Sequence, residues 1–141
     1  MFYEQRMTVP ETPTDLRSEY ETDLAAIVDR RGADTVAERT NVDRETLEAL
    51  LEGESPTLSL EEAAEIRALE EGEPDAETIV TMACEHLLLG MSSAVLDVET
   101  VESYLEIDLD AKEVQQKIER RTPMSFEEYV HIQHVIVDRM P

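Results

Sequence analysis

The stretch ADTVAERTNVDRETLEALLEGESPTLSLEEAAEIRAL, residues 33–69, decides the fold, because it reads as short helices set off by turns. A helix is expected from about Thr35 to Arg39, with Ala37 where two helices cross closely and a bulkier side chain would hold them apart. Asn41 falls in the following turn, since Asn tolerates left-handed backbone. Val42 plugs the space beneath it. Asp43 caps the next helix, in which Leu47, Leu50 and Leu51 stand at i, i+3 and i+4 and are expected to face the core. Gly53 marks its end. After Pro56, Ser59 and Glu62 form a capping box, so a helix starts near Leu60, with Ala63, Ile66 and Leu69 on its apolar stripe.

Outward from this stretch the pattern stays helical. Leu16, Tyr20, Leu24, Ile27 and Val28 trace one helical face that ends at Gly32. Before it, Pro10 and Pro13 predict an extended tail over residues 1–15. The segment EEGEPD, residues 70–75, places a glycine and a proline among acids, and Asp75 can cap the next helix. Beyond it Ile79, Val80, Ala83, Leu87 and Leu88 predict a strongly apolar helix, and a shorter one runs from Val98 to about Leu105. No strand pattern persists. The expected fold class is all-α, a helix-turn-helix bundle in two tandem halves: a helix-turn-helix domain over 16–72 and a second helical domain over 75–141.

That second half reads as a divergent repeat of the first. Asp43 to Pro56 is DRETLEALLEGESP and Asp110 to Pro123 is DAKEVQQKIERRTP, with cap and proline equally spaced. Leu47 and Leu51 correspond to Val114 and Ile118, and Val42 to Leu109. After a one-residue deletion, Ser59-Leu60-Glu61-Glu62 corresponds to Ser125-Phe126-Glu127-Glu128. Ala37 then falls opposite Tyr104, which is too large for a close crossing. Chance likeness between two helix-proline-helix segments is the alternative, since Pro and Ser-x-x-Glu are common helix punctuation.

The small residue at Ala37, the turn with Val42, the cap at Asp43 and Gly53 before a further helix resemble the lambda-repressor-like (Cro-type) helix-turn-helix family. The resemblance covers about 50 residues if Leu24, Ile27 and Val28 supply the first helix, and it implies DNA binding. Asn41 stands where the family usually has glycine. The outward positions of the implied recognition helix are Arg44, Glu45, Glu48 and Glu52, and three acids facing phosphates are unfavourable.

The chain has 34 acidic against 12 basic residues, a net charge of −22. The acids are spread between apolar positions in every segment, a pattern that resembles the cytoplasmic proteins of salt-in halophilic archaea and differs from one acidic block. No apolar run reaches the length of a membrane span, and MFYEQRMTVPETPTD lacks a signal peptide's basic start and apolar core, so a cytoplasmic location is expected. Cys84 is alone and lies among apolar residues, which suits a small buried hydrophobe. Glu128, His131 and His134 have ligand-like spacing, and Cys84 and His86 could join them. A second Glu-x-x-His is missing, so they read as structural. No catalytic, cofactor or metal site is expected.

The positive segment AKEVQQKIERR, residues 111–121, contrasts with this acidity. Lys112, Gln115, Gln116, Arg120 and Arg121, with Arg44 of the first half, are the candidate DNA contacts, since Lys and Arg suit phosphates or guanine and Gln suits adenine. The competing reading pairs Glu113 with Lys117 and sets Arg120 and Arg121 against the helix's negative end. Two functions are compatible with these features: a DNA-binding transcriptional regulator of a halophilic cell, or a helical module that binds another protein or itself, with Leu88, Leu89 and Met91 as candidate contacts.

Overall fold

A computed structural model describes residues 1–141 and contains eight α-helices and no strand. The first four are α1 (Pro13–Arg31), α2 (Ala33–Arg39), α3 (Arg44–Leu51) and α4 (Leu60–Arg67). Then come α5 (Ala76–Ala94), α6 (Val98–Tyr104), α7 (Ala111–Ile118) and α8 (Phe126–Asp138). Local chemistry sets the starts. Asp43, Asp75, Asp97 and Asp110 accept the backbone N–H three residues on, each at 2.8 Å. Ser59 and Ser125 each close a capping box, with Glu62 and Glu128. Those hydrogen bonds hold the carboxyls of Asp43, Asp75 and Asp97 below the usual range, because they favour the charged form.

The two halves run in parallel. α1 and α5 have 19 residues each, α2 and α6 have 7, and α3 and α7 have 8. Leu16, Tyr20, Leu24, Ile27 and Val28 are buried in α1, and at the same places along α5 stand the buried Ile79, Ala83, Leu87, Gly90 and Met91. Four of the five positive-φ residues match in pairs: Gly32 and Val95 close α1 and α5, and Gly53 and Arg120 follow α3 and α7, while Gly72 lies in the turn between α4 and α5. The last turns carry the same 6→1 hydrogen bonds, Glu54 N to Ala49 O at 2.9 Å and Arg121 N to Gln116 O at 2.8 Å. At the junction of the halves Ser59 and Ser125 form an antiparallel bridge, with Leu60 N donating to Met124 O and Phe126 N to Leu58 O.

Several expectations need correction. Val36 and Val101 are the buried residues of α2 and α6, while Ala37 is half-buried, because Val36 is the residue that reaches the centre. The α6–α7 connection is longer than that between α2 and α3, so Tyr104 stands at the end of α6, exposed, and does not face Ala37's neighbours. Asn41 is not left-handed; its backbone N–H and side-chain amide both donate to Glu65 Oε1, at 2.9 and 3.0 Å. Leu51 is 41% exposed, because the inward face of this two-turn helix is completed by Leu47 and Leu50. Leu47→Ala is therefore expected to cost about 2–5 kcal/mol in chemical denaturation, and Leu51→Ala under about 0.5 kcal/mol. Equal losses at both sites would place α3 in a different orientation.

The largest departure is at the N-terminus. Residues 1–12 are not a free extended tail, and α1 already begins at Pro13, capped by Thr12. Phe2 and Tyr3 are buried, and Phe2 packs edge-on against Tyr3, Tyr20, Phe126 and Tyr129, with centroids 5.3–6.2 Å apart. Tyr129 Oη donates to Phe2 O at 2.5 Å, His86 Nδ1 to Tyr3 O at 2.7 Å and His134 Nε2 to Pro10 O at 2.7 Å. The segment is a strap over α1, α5 and α8. The side chains that donate to these carbonyls, His86, Tyr129 and His134, lie 83 to 127 positions away in the chain, outside the reach of any local pattern. The turn at 70–75, which was expected to divide two domains, joins α4 to α5 within one continuous core of 33 buried residues drawn from both halves.

Candidate functional site

The outer face of α3 is acidic and internally neutralised. Arg44 pairs with Asp34 and with Glu48, the latter at 2.9 Å, so its guanidinium is committed within the molecule. Glu45, Glu48 and Glu52 are exposed beside it. Arg30 and Arg31 both pair with Glu70. Among these neighbours of the first half only Arg39 stands exposed without an ion pair.

The positive segment on α7 divides by direction. Lys112 and Gln115 are exposed on the outer face and Gln116 is half-buried, while Gln115 donates to Glu119 Oε2 at 3.1 Å. Lys117 turns inward, bonding Pro123 O at 2.8 Å and Glu128 at 3.0 Å. The expected Glu113–Lys117 pair does not form, because Glu113 folds back to accept the Asp110 backbone N–H. Arg121 pairs with Glu119 at 3.2 Å, and Arg120 reaches back to α5, donating to Thr81 Oγ1 at 2.6 Å. Of the six candidate DNA contacts, Arg44, Lys112, Gln115, Gln116, Arg120 and Arg121, the structure brings Arg120 and Arg121 together on one cleft beside Lys117. Lys112, Gln115 and Gln116 share α7, Arg44 belongs to the other half, and Arg120 points back to α5.

The titratable groups inside are structural in their surroundings. Burial pushes the Cys84 thiol up to about 11, so it is protonated at neutral pH. His86 and His134 hold the strap through backbone carbonyls, and burial lowers the pKa of His131, which lies 3.9 Å from Glu127. No three His, Cys, Asp or Glu side chains converge at ligand distance.

An apolar ledge lies along the C-terminal half of α5. Leu88 is 48% exposed, Leu89 53% and Val95 90%, whereas Met91, grouped with them on sequence grounds, is buried. A groove of about 270 Å³ beside the ledge is lined by Leu88, Met91, Val98 and Ile118, with Asp97, Gln115 and Glu119 on its rim. Val95 holds φ at 56°, a backbone region unfavourable for a β-branched residue, and displays its side chain to solvent. Sequence reasoning missed Val95. Only the helix ends show that it closes α5 where Gly32 closes α1, since the repeat spacing of Asp43 and Asp110 does not pair the two positions.

The arrangement is thus a helical scaffold with exposed apolar side chains at the C-terminal end of α5. The chain belongs to the DUF5791 family, a family of unknown function, whose profile matches residues 16–139. The match runs from α1 into the residue after α8, so it takes in both halves together. No curated protein and no solved structure matches the chain. No single helix is long and apolar enough to cross a membrane.

Proposed function

We propose that this protein is a helical protein–protein interaction module whose partner is an amphipathic helix with basic flanks. The observation that carries the reading is the ledge of Leu88, Leu89 and Val95 beside an apolar groove. Large apolar side chains exposed next to an apolar groove mark interaction sites, and a helix laid in such a groove buries its own apolar face there. The net charge of −22 favours a cationic partner over a second copy of this chain, which would bring like charges together. The test is titration of a lysine-flanked, leucine-rich helical peptide. Leu88→Glu combined with Leu89→Glu is expected to weaken binding about tenfold or more, the loss of two buried leucines at an interface. The sign decides the matter: added negative charge would strengthen a purely electrostatic attraction, so tighter binding by the double variant would overturn the reading.

The second reading, DNA binding through a Cro-type helix-turn-helix, is favoured by the exposed Lys112 and Gln115 on α7. It is weakened by the ion pairs that occupy Arg44 and Arg121. A DNA titration in molar potassium chloride beside the peptide titration separates the two readings. The spread of acids along every helix supports a further part of the proposal, that the chain is adapted to molar salt.

A further inference from the structure

Against 34 acids the chain has only 12 basic residues, and three of these, Lys117, Arg120 and Arg121, line one cleft of about 230 Å³ between α4, α5 and the α7–α8 turn. Its apolar lining includes Leu60, Val80, Cys84 and Met124, and Glu61 is the acid on its wall. Lys117 and Arg121 are each paired with one carboxylate, but Arg120 bonds only the neutral hydroxyl of Thr81, so its charge is uncompensated by any ion pair. Arg120 also has a left-handed backbone, φ 63°, at the place where the first half uses Gly53, φ 79°. Glycine takes that conformation without strain, whereas a side chain there costs free energy, so Arg120 carries a conformational cost that Gly53 does not. The hollow next to it, shared through Glu61, Val80 and Arg120, contains Glu65 and Glu77, so acids lie on that side as well.

We infer that this cleft binds a small phosphate monoester, with Arg120 as the principal ligand and Lys117 and Arg121 supplying further positive charge. A guanidinium can offer two parallel N–H donors to a phosphate, and the cleft has room for several times the roughly 30 Å³ of a water molecule. The competing account is that Arg120 is a structural tie to Thr81 and a counter-charge to Glu61, Glu65 and Glu77. Inorganic phosphate titrated into ¹⁵N-labelled full-length protein, at constant ionic strength in potassium chloride, distinguishes them. The expected result is saturable movement of the Leu60, Glu61, Thr81 and Arg120 amides. Arg120→Gly should reduce phosphate affinity about tenfold or more, as loss of a charge-assisted contact implies, while leaving the melting temperature unchanged or higher because the strain is relieved. Thr81→Val should keep phosphate binding. Shifts that fail to saturate, or an Arg120→Gly variant that melts lower and binds phosphate as the parent does, would overturn the inference.

Discussion

Transfer from molar to about 0.1 M potassium chloride is expected to abolish most of the helical circular dichroism of this protein. The net charge of −22 is carried on a 141-residue chain, and the screening length rises from roughly 3 Å to roughly 10 Å over that change. Repulsion then extends between neighbouring helices, beyond adjacent side chains. Crowding is already visible after α3, where a hydrogen bond from the protonated Glu52 carboxyl to Glu54, with repulsion by Glu54 and Glu48, raises the pKa of Glu52. The exposed ion pairs, such as Arg44–Glu48, offset little, since surface pairs contribute about 0–1 kcal/mol each. The measurement is ellipticity at 222 nm with thermal melts across the salt range. An unchanged midpoint would refute salt adaptation and leave the acidic surface without that physical purpose.

Phe2→Ala is expected to destabilise the fold by about 3–5 kcal/mol, the range for removing a buried aromatic. In a chain of this size that corresponds to a fall in melting temperature of roughly 10–15 °C. The ring is 2% exposed and touches Tyr20 of α1 and Phe126 and Tyr129 of α8, so its loss opens a cavity where both halves meet. Five of the six aromatics gather there; the sixth, Tyr104, is exposed beneath the Arg139 guanidinium. Beside the cluster, Tyr3 donates to Glu73, which also accepts from Arg67 at 2.8 Å; burial and that carboxylate push the Tyr3 hydroxyl up to about 12. Met7→Ala, on the same strap but 66% exposed, is the control and should change stability by under about 0.5 kcal/mol. Equal, small effects of both substitutions would mean that residues 1–12 do not belong to the core.

What could be read from the chain alone was what neighbours within about four residues decide. The caps at Asp43, Ser59, Asp75, Asp110 and Ser125 all form, because each is a side chain meeting an N–H three residues away. The buried face of α1 also follows from periodicity, and the class all-α with it. The candidate site was legible only in part. Leu88 and Leu89 are exposed as an interaction surface requires, yet Met91 is buried, since one residue's rotation about a helix is set by what packs against it. Lys117 turns from the outer face of α7 and Arg120, two residues past its end, reaches back to α5 for the same reason: their partners Glu128 and Thr81 lie 11 and 39 positions away. Helix starts and the buried face of α1 were thus determined by sequence through short-range hydrogen bonds and periodic burial. Tertiary structure alone decided that the first 12 residues become a strap, that one core spans both halves, and which cations face a cleft, because those outcomes depend on contacts between segments far apart in the chain.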